Sequence, residues 1–215
     1  MSVRWGSWGW YALLFAVMVL VTVDVLLDGP LRHLDWIVHE FCDAHVRDGT
    51  LVAVHTITKL GQRGILVMII APLAVIAAIR RRSLRYPVMS AVIVVLLSLL
   101  ESGLKASIPR TFPVSNTDVL FTHGTAYPSG HTLNAFVLDW VILELLVVAL
   151  PVARRYLPER RRRDIALVTG CVAAVALTVA DEHWLTDVLF SLALGPVLLS
   201  GLIAVAPFNR GDEPR

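Results

Sequence analysis

Three short polar stretches of this chain hold residue types able to bind an anion and act on it. They are the pair Lys105 and Arg110, the run Tyr127-Pro128-Ser129-Gly130-His131-Thr132, and the run Asp181-Glu182-His183-Trp184-Leu185-Thr186-Asp187. Pro128 suits the entry to a helix, and Ser129 beside it suits the N-cap. The N–H groups of Gly130 and His131 would then stand unpaired at a positive helix end, a ready anion site. Gly130 adds no side chain to keep a phosphate away from that backbone. His183 and Asp187 are four residues apart and share a helical face, so the carboxylate can hold one imidazole nitrogen and leave the other free to attack. His131 is a second imidazole, able to give a proton to a leaving oxygen. Lys105 and Arg110 supply positive charge for phosphate oxygens. Each element taken alone has a bland reading: Lys105 lies one turn after Glu101, so the two could simply neutralise each other, and a lone histidine at a helix mouth is more often structural. The Pro-Ser-Gly-His-Thr run is the specific signal, because helix start, anion nest and imidazole fall within five residues.

The elements that must position these residues are apolar. Of 215 residues, 56% are hydrophobic and 17% charged, with a mean hydropathy of +0.70. That balance exceeds what a soluble domain of this length needs, and it excludes both disorder and a nucleic-acid binder built on a basic surface. Cys42 and Cys171 are too few for a disulfide scaffold or a zinc site. Apolar runs recur at residues 10–27, 65–79, 86–100, 133–150, 165–180 and 184–206. A crossing needs roughly 20 residues, so the second run is expected to extend backwards through 51–60 and the third forward to Lys105. The expected fold is all-α: a polytopic bundle of six transmembrane helices in a single domain, residues 1–215. Trp5, Trp8, Trp10 and Tyr11 resemble an interfacial aromatic belt.

Arginine sets the orientation. Arg80, Arg81, Arg82 and Arg85 fall between the second and third runs, Arg154, Arg155 and Arg160 to Arg163 between the fourth and fifth, and Arg210 and Arg215 in the tail. The positive-inside rule then places both termini in the cytoplasm and all three polar stretches at the extracytoplasmic face. Between the first two runs, Leu34, Ile37, Val38, Phe41 and Val46 recur at helical spacing among charges. They predict an external amphipathic helix with no catalytic role.

The order Lys…Arg, then Pro-Ser-Gly-His, then His-x-x-x-Asp, on six spans, resembles the type-2 phosphatidic acid phosphatase superfamily of integral membrane lipid phosphatases over roughly residues 50–206. The resemblance implies that His183 is a nucleophile forming a phosphohistidine, that Asp187 orients it and that His131 is the acid. It further implies that Lys105, Ser129 and Gly130 bind the phosphate, without a metal or other cofactor. Two motif positions depart from the pattern. Phe112 stands where the first motif carries arginine, with Arg110 two residues early and expected to substitute. Ala176 and Leu177 stand where the third motif carries Ser-Arg. Asp181 and Glu182 sit beside the nucleophile, where they repel a phosphate unless they are turned away. With His123, they are expected to contact the head group.

The implied activity is hydrolysis of a lipid-linked phosphate monoester, of polyprenyl or glycerolipid type, at the outer face of a cell membrane. The partners are the bilayer and its lipid phosphate, with no nucleic acid. The arginine-rich, Ala/Val-rich composition is compatible with a bacterial cell envelope. Two rivals stand beside this reading: a phosphotransferase on the same scaffold, and a lipid-phosphate binding or transport protein without catalysis.

Overall fold

The computed structural model describes residues 6–208, and Trp5, Arg210 and Arg215 lie outside them. Among the described residues, nine α-helices carry the chain and no β-strand is present. Ser7 starts the first, its hydroxyl accepting the Trp10 N–H at 3.3 Å, and α1 runs Trp8–Leu26. Two shorter helices follow, α2 (Pro30–His45) and α3 (Asp48–Thr58), and then the 3-10 turn Lys59–Gly61. The long helices α4 (Arg63–Arg81) and α5 (Arg85–Ser107) precede an irregular connection that ends at Ser129. The remainder is α6 (Gly130–Ala149), the short α7 (Ala153–Tyr156), α8 (Glu159–Val179) and α9 (Leu185–Val205).

Five helices, α1, α4, α5, α6 and α9, are long and apolar enough to cross a membrane. The sixth expected run, 165–180, lies in α8. That helix is 21 residues long, but its first two turns hold Glu159, Arg160 to Arg163 and Asp164, which leaves an apolar part shorter than the roughly 20 residues of a full crossing. The second run also differs from expectation. Residues 51–60 do not extend it: they form α3 and the 3-10 turn, and Gln62, in extended backbone, separates them from α4. The third run does continue past Lys105, to Ser107.

Helix α6 is the axis of the bundle. It is mostly apolar and buried on nearly all sides, and Leu133, Phe136, Leu138, Val141 and Leu145 are fully enclosed. Its neighbours α4, α8 and α9 surround it. The Phe136 ring fills the space between two glycines: a Cβ on Gly170 of α8 would come within 2.5 Å of the ring, and one on Gly195 of α9 within 2.1 Å. Small residues at these crossings let the three helices close on one another.

Helix α2 has the expected amphipathic pattern but an unexpected orientation. Its buried residues are Asp35, His39 and Cys42, while Ile37 and Phe41 are each 62% exposed. The polar stripe faces the protein and the apolar stripe faces outward, an orientation suited to a helix on a bilayer surface. That inward stripe carries α2 into the site, contrary to the expectation of a bystander.

Candidate active site

The start of α9 holds the two residues best placed for chemistry. Asp187, in the first turn, accepts the Trp184 N–H through Oδ2 at 3.1 Å. The same oxygen lies 3.3 Å from His183 Nδ1. A carboxylate can only accept, so Nδ1 carries the proton and donates, leaving Nε2 with a free lone pair. His183 is buried, with the Phe112 ring packed edge-on against it, centroids 5.4 Å apart. Phe112, at the displaced motif position, thus walls the imidazole.

Arg110 is not where the sequence suggests. It is completely enclosed, and all five of its N–H groups are spent on the protein. Nε donates to Asp118 Oδ1 at 2.7 Å, Nη1 to Thr186 Oγ1 at 2.7 Å and Asp187 Oδ1 at 2.9 Å, and Nη2 to Asp35 Oδ2 at 2.7 Å and Asp118 Oδ2 at 2.8 Å. No donor is left for a phosphate. The guanidinium instead clamps the second oxygen of Asp187, with the Trp184 ring 5.1 Å away. Asp35 also accepts the Thr186 N–H at 2.8 Å and its hydroxyl at 2.6 Å, so a carboxylate from α2 caps α9.

The electrostatics of this hub follow from burial. Burial lifts the Asp35 carboxyl to about 6, against the pull of Arg110 and Thr186. Burial acts the same way on Asp118, but the bonds from Arg110 and Arg32 outweigh it and hold that carboxyl below the ordinary range. Arg32 reaches Asp118 Oδ2 at 2.7 Å.

The Pro-Ser-Gly-His element is stitched to this hub through its backbone. The Ser129 N–H donates to the Asp187 carbonyl at 3.2 Å, and the Ser191 hydroxyl donates to the Ser129 carbonyl at 3.0 Å. Ser129 is the N-cap of α6, its Oγ accepting from the Thr132 N–H at 3.4 Å and the Thr132 hydroxyl at 3.0 Å. Gly130 and His131 occupy the first two helical positions, where N–H groups have no acceptor within the helix. This arrangement sets the His131 and His183 rings 6.5 Å apart, centroid to centroid.

Two cations approach the same helix end. Lys105 Nζ donates to the Thr125 carbonyl, and Glu101 takes its hydrogen bond from Arg63 rather than from Lys105. Arg63 is a residue that the sequence pattern misses. It opens α4, and Gly61 brings it into place: a Cβ on Gly61 would lie 2.1 Å from the His131 carbonyl oxygen, so the chain passes here against α6 only because that position is glycine. The available signal was a charge at the start of an apolar run, at the end expected to lie with the three polar stretches.

A cavity of about 480 Å³ opens in front of the two histidines, lined also by Phe112, His55, Asp43, Asp181 and Glu182. The two acids beside His183 are held by histidines. Both oxygens of Asp181 lie 2.8 Å from His39 Nδ1, and Glu182 Oε1 lies 2.6 Å from His55 Nδ1 and accepts the Thr58 hydroxyl at 3.2 Å. His123 is exposed on the connection before α6 and lies outside the cavity lining. Leu177, at the other displaced motif position, is fully buried against Ala174 and Val188.

His39 yields a pH prediction. Burial works against its imidazolium, but the bonds to Asp181 and to Asn116 Oδ1, at 3.0 Å, outweigh that and raise its pKa above the ordinary value. Its contribution to stability is therefore complete below the unfolded value of roughly 6.5 and is lost as pH rises through the higher folded one. The Tm gap between wild type and His39→Gln should be wider at about pH 6 than at about pH 9. A gap that stays constant would show that the pair carries no such charge.

A family model described as the PAP2 superfamily matches residues 88–210. Among solved structures, the chain is similar to the crystal structure of a transmembrane PAP2-type phosphatidylglycerolphosphate phosphatase from Bacillus subtilis. The TM-score is 0.74 at 19% identity, covering 94% of this chain and 98% of that one. Among curated proteins, none matches the chain.

Proposed function

The chain belongs to the PAP2 superfamily, and from that premise we propose that it hydrolyses a lipid-linked phosphate monoester at the extracytoplasmic face of a membrane. One observation carries the reading. His183 is held through Nδ1 by Asp187, which leaves Nε2 free, and its ring lines one cavity with the His131 ring, their centroids 6.5 Å apart. A phosphate seated between them has a nucleophile on one side and an acid on the other. Nε2 attacks phosphorus, the P–O bond to the lipid breaks, and His131 protonates the departing oxygen. Water, deprotonated by His131, then attacks the phosphohistidine and releases inorganic phosphate. Lys105 and the N–H groups of Gly130 and His131 hold the phosphate oxygens, and no metal takes part.

The substrate tail lies in the bilayer, and the head group occupies the cavity beside Asp181 and Glu182. The Bacillus subtilis neighbour is described as a phosphatidylglycerolphosphate phosphatase, which puts glycerolipid phosphates beside polyprenyl phosphates as the first compounds to try. Purified protein should release phosphate from at least one of them, with the rate unchanged by EDTA. Activity lost to chelator and restored by a divalent ion would overturn the metal-free mechanism. A folded protein that releases phosphate from none of them would favour the binding or transport reading.

The orientation rests on six crossings, with α8 as the sixth: its 21 residues are long enough if the arginines of its first turns reach out to the interface. Helix direction supports it: α4, α6 and α9 begin, and α5 and α8 end, beside the site, while Arg80 to Arg85 and Arg154 to Arg163 gather at the other ends of these helices. Tags inserted at Arg82 and Arg161 should therefore report cytoplasm and one at Ser115 the outside. A cytoplasmic signal from Ser115 would move the site to the inner leaflet.

A further inference from the structure

Resting on the phosphatase reading, we propose that Arg63 supplies the guanidinium that binds the substrate's phosphate, standing in for the two motif arginines this chain lacks, and that Glu101 holds it in position. The motif positions carry Phe112 and Leu177, one against the His183 ring and the other deep in an apolar cluster. Arg110 has no N–H to spare. Of the two cations expected from sequence, this leaves Lys105 to face a phosphate.

Arg63 fills that deficit by position. The contact of Gly61 with the His131 carbonyl fixes the start of α4 against the start of α6, and Arg63 lies within electrostatic reach of His131 and Lys105. The carboxylate that holds it is also at the anion site: a Cβ on Gly130 would lie 2.7 Å from Glu101 Oε2. Donor accounting points the same way. Arg63 Nη2 donates to Glu101 Oε2, while the buried Arg63 Nε and Glu101 Oε1 have no hydrogen-bond partner, so the pair is joined by one bond and not by two. A buried, unsatisfied guanidinium N–H is costly and calls for an explanation. A phosphate oxygen would satisfy it in the charge-assisted geometry for which arginine is suited.

The alternative is that Arg63 only neutralises Glu101. Orthovanadate affinity, read by thermal shift on the purified full-length protein, separates the two alongside KM for a phosphate monoester. Arg63→Ala should weaken vanadate binding and raise KM by about 10–100-fold, with Arg63→Lys in between. The decisive variant is Arg63→Ala combined with Glu101→Gln, which removes both charges. It should regain thermal stability while vanadate binding stays weak. Recovery of vanadate affinity to the wild-type value in this double variant would overturn the proposal, as would a wild type that does not bind vanadate. A wild type that binds vanadate through Arg63 but releases phosphate from no lipid would keep Arg63 at an anion site and overturn the phosphatase reading instead.

Discussion

His131→Ala should slow phosphate release from an alkyl phosphate by about 10²–10⁴-fold, the usual worth of a general acid, and spare far more of the rate on an aryl phosphate. An alkoxide leaves poorly without a proton, whereas an acidic phenol departs almost unaided. The His131 ring is placed for that transfer, across from the His183 ring in the same cavity. The quantity to measure is the ratio of aryl to alkyl rates in wild type and variant. Equal losses on both substrates would remove the acid role from His131. Asp187→Asn should reduce both rates together, because a neutral amide no longer fixes the tautomer of His183.

The second large effect is expected at Arg110. Arg110→Ala leaves Asp35, Asp118 and Asp187 buried without their shared cation. Breaking a buried pair in this way costs about 3–5 kcal/mol, so a lowered Tm is the first expectation. Arg110→Lys keeps the charge but loses the planar fork that reaches three carboxylates at once, and it is the more informative variant. If Arg110 positions Asp187, this substitution should lower kcat while leaving KM nearly unchanged. A phosphate-binding arginine would behave in the opposite way, with KM rising and kcat largely held. The second pattern would restore the assignment that the sequence favours and contradict the enclosed geometry.

Much of the positioning was readable from residue order. The apolar runs locate α1, α5, α6 and α9, Pro128 and Ser129 mark the start of α6, and the four-residue spacing of His183 and Asp187 becomes a contact. The role of Arg110 was not readable. Its partners lie 75, 8 and 77 residues away in sequence, and a charge among polar neighbours does not disclose whether it meets a ligand or three carboxylates. Helix α2 shows a related limit. Periodicity groups Ile37 with Phe41 and Asp35 with His39, but it does not say which medium covers each stripe. Near a bilayer, the stripe that a soluble protein would bury is the one turned outward.

Charges within the spans illustrate the same point. Asp24, near the end of α1, accepts the Leu31 and Arg32 N–H groups at 3.2 and 2.8 Å and so caps α2. Glu144 pairs with Arg162 Nε at 2.7 Å. Both look functional by the rule that charge in a membrane span is rare. In the fold, each is bound to groups of a neighbouring helix.

The central claim is that His183 attacks phosphorus, and trapping the intermediate tests it most directly. Purified wild type mixed with a ³²P-labelled phosphate monoester and quenched without acid should carry a base-stable, acid-labile phosphoryl group that maps to His183. His183→Ala should carry none and release no phosphate from any substrate. A phosphoenzyme that persists in His183→Ala, or one that maps to another residue, would contradict the account.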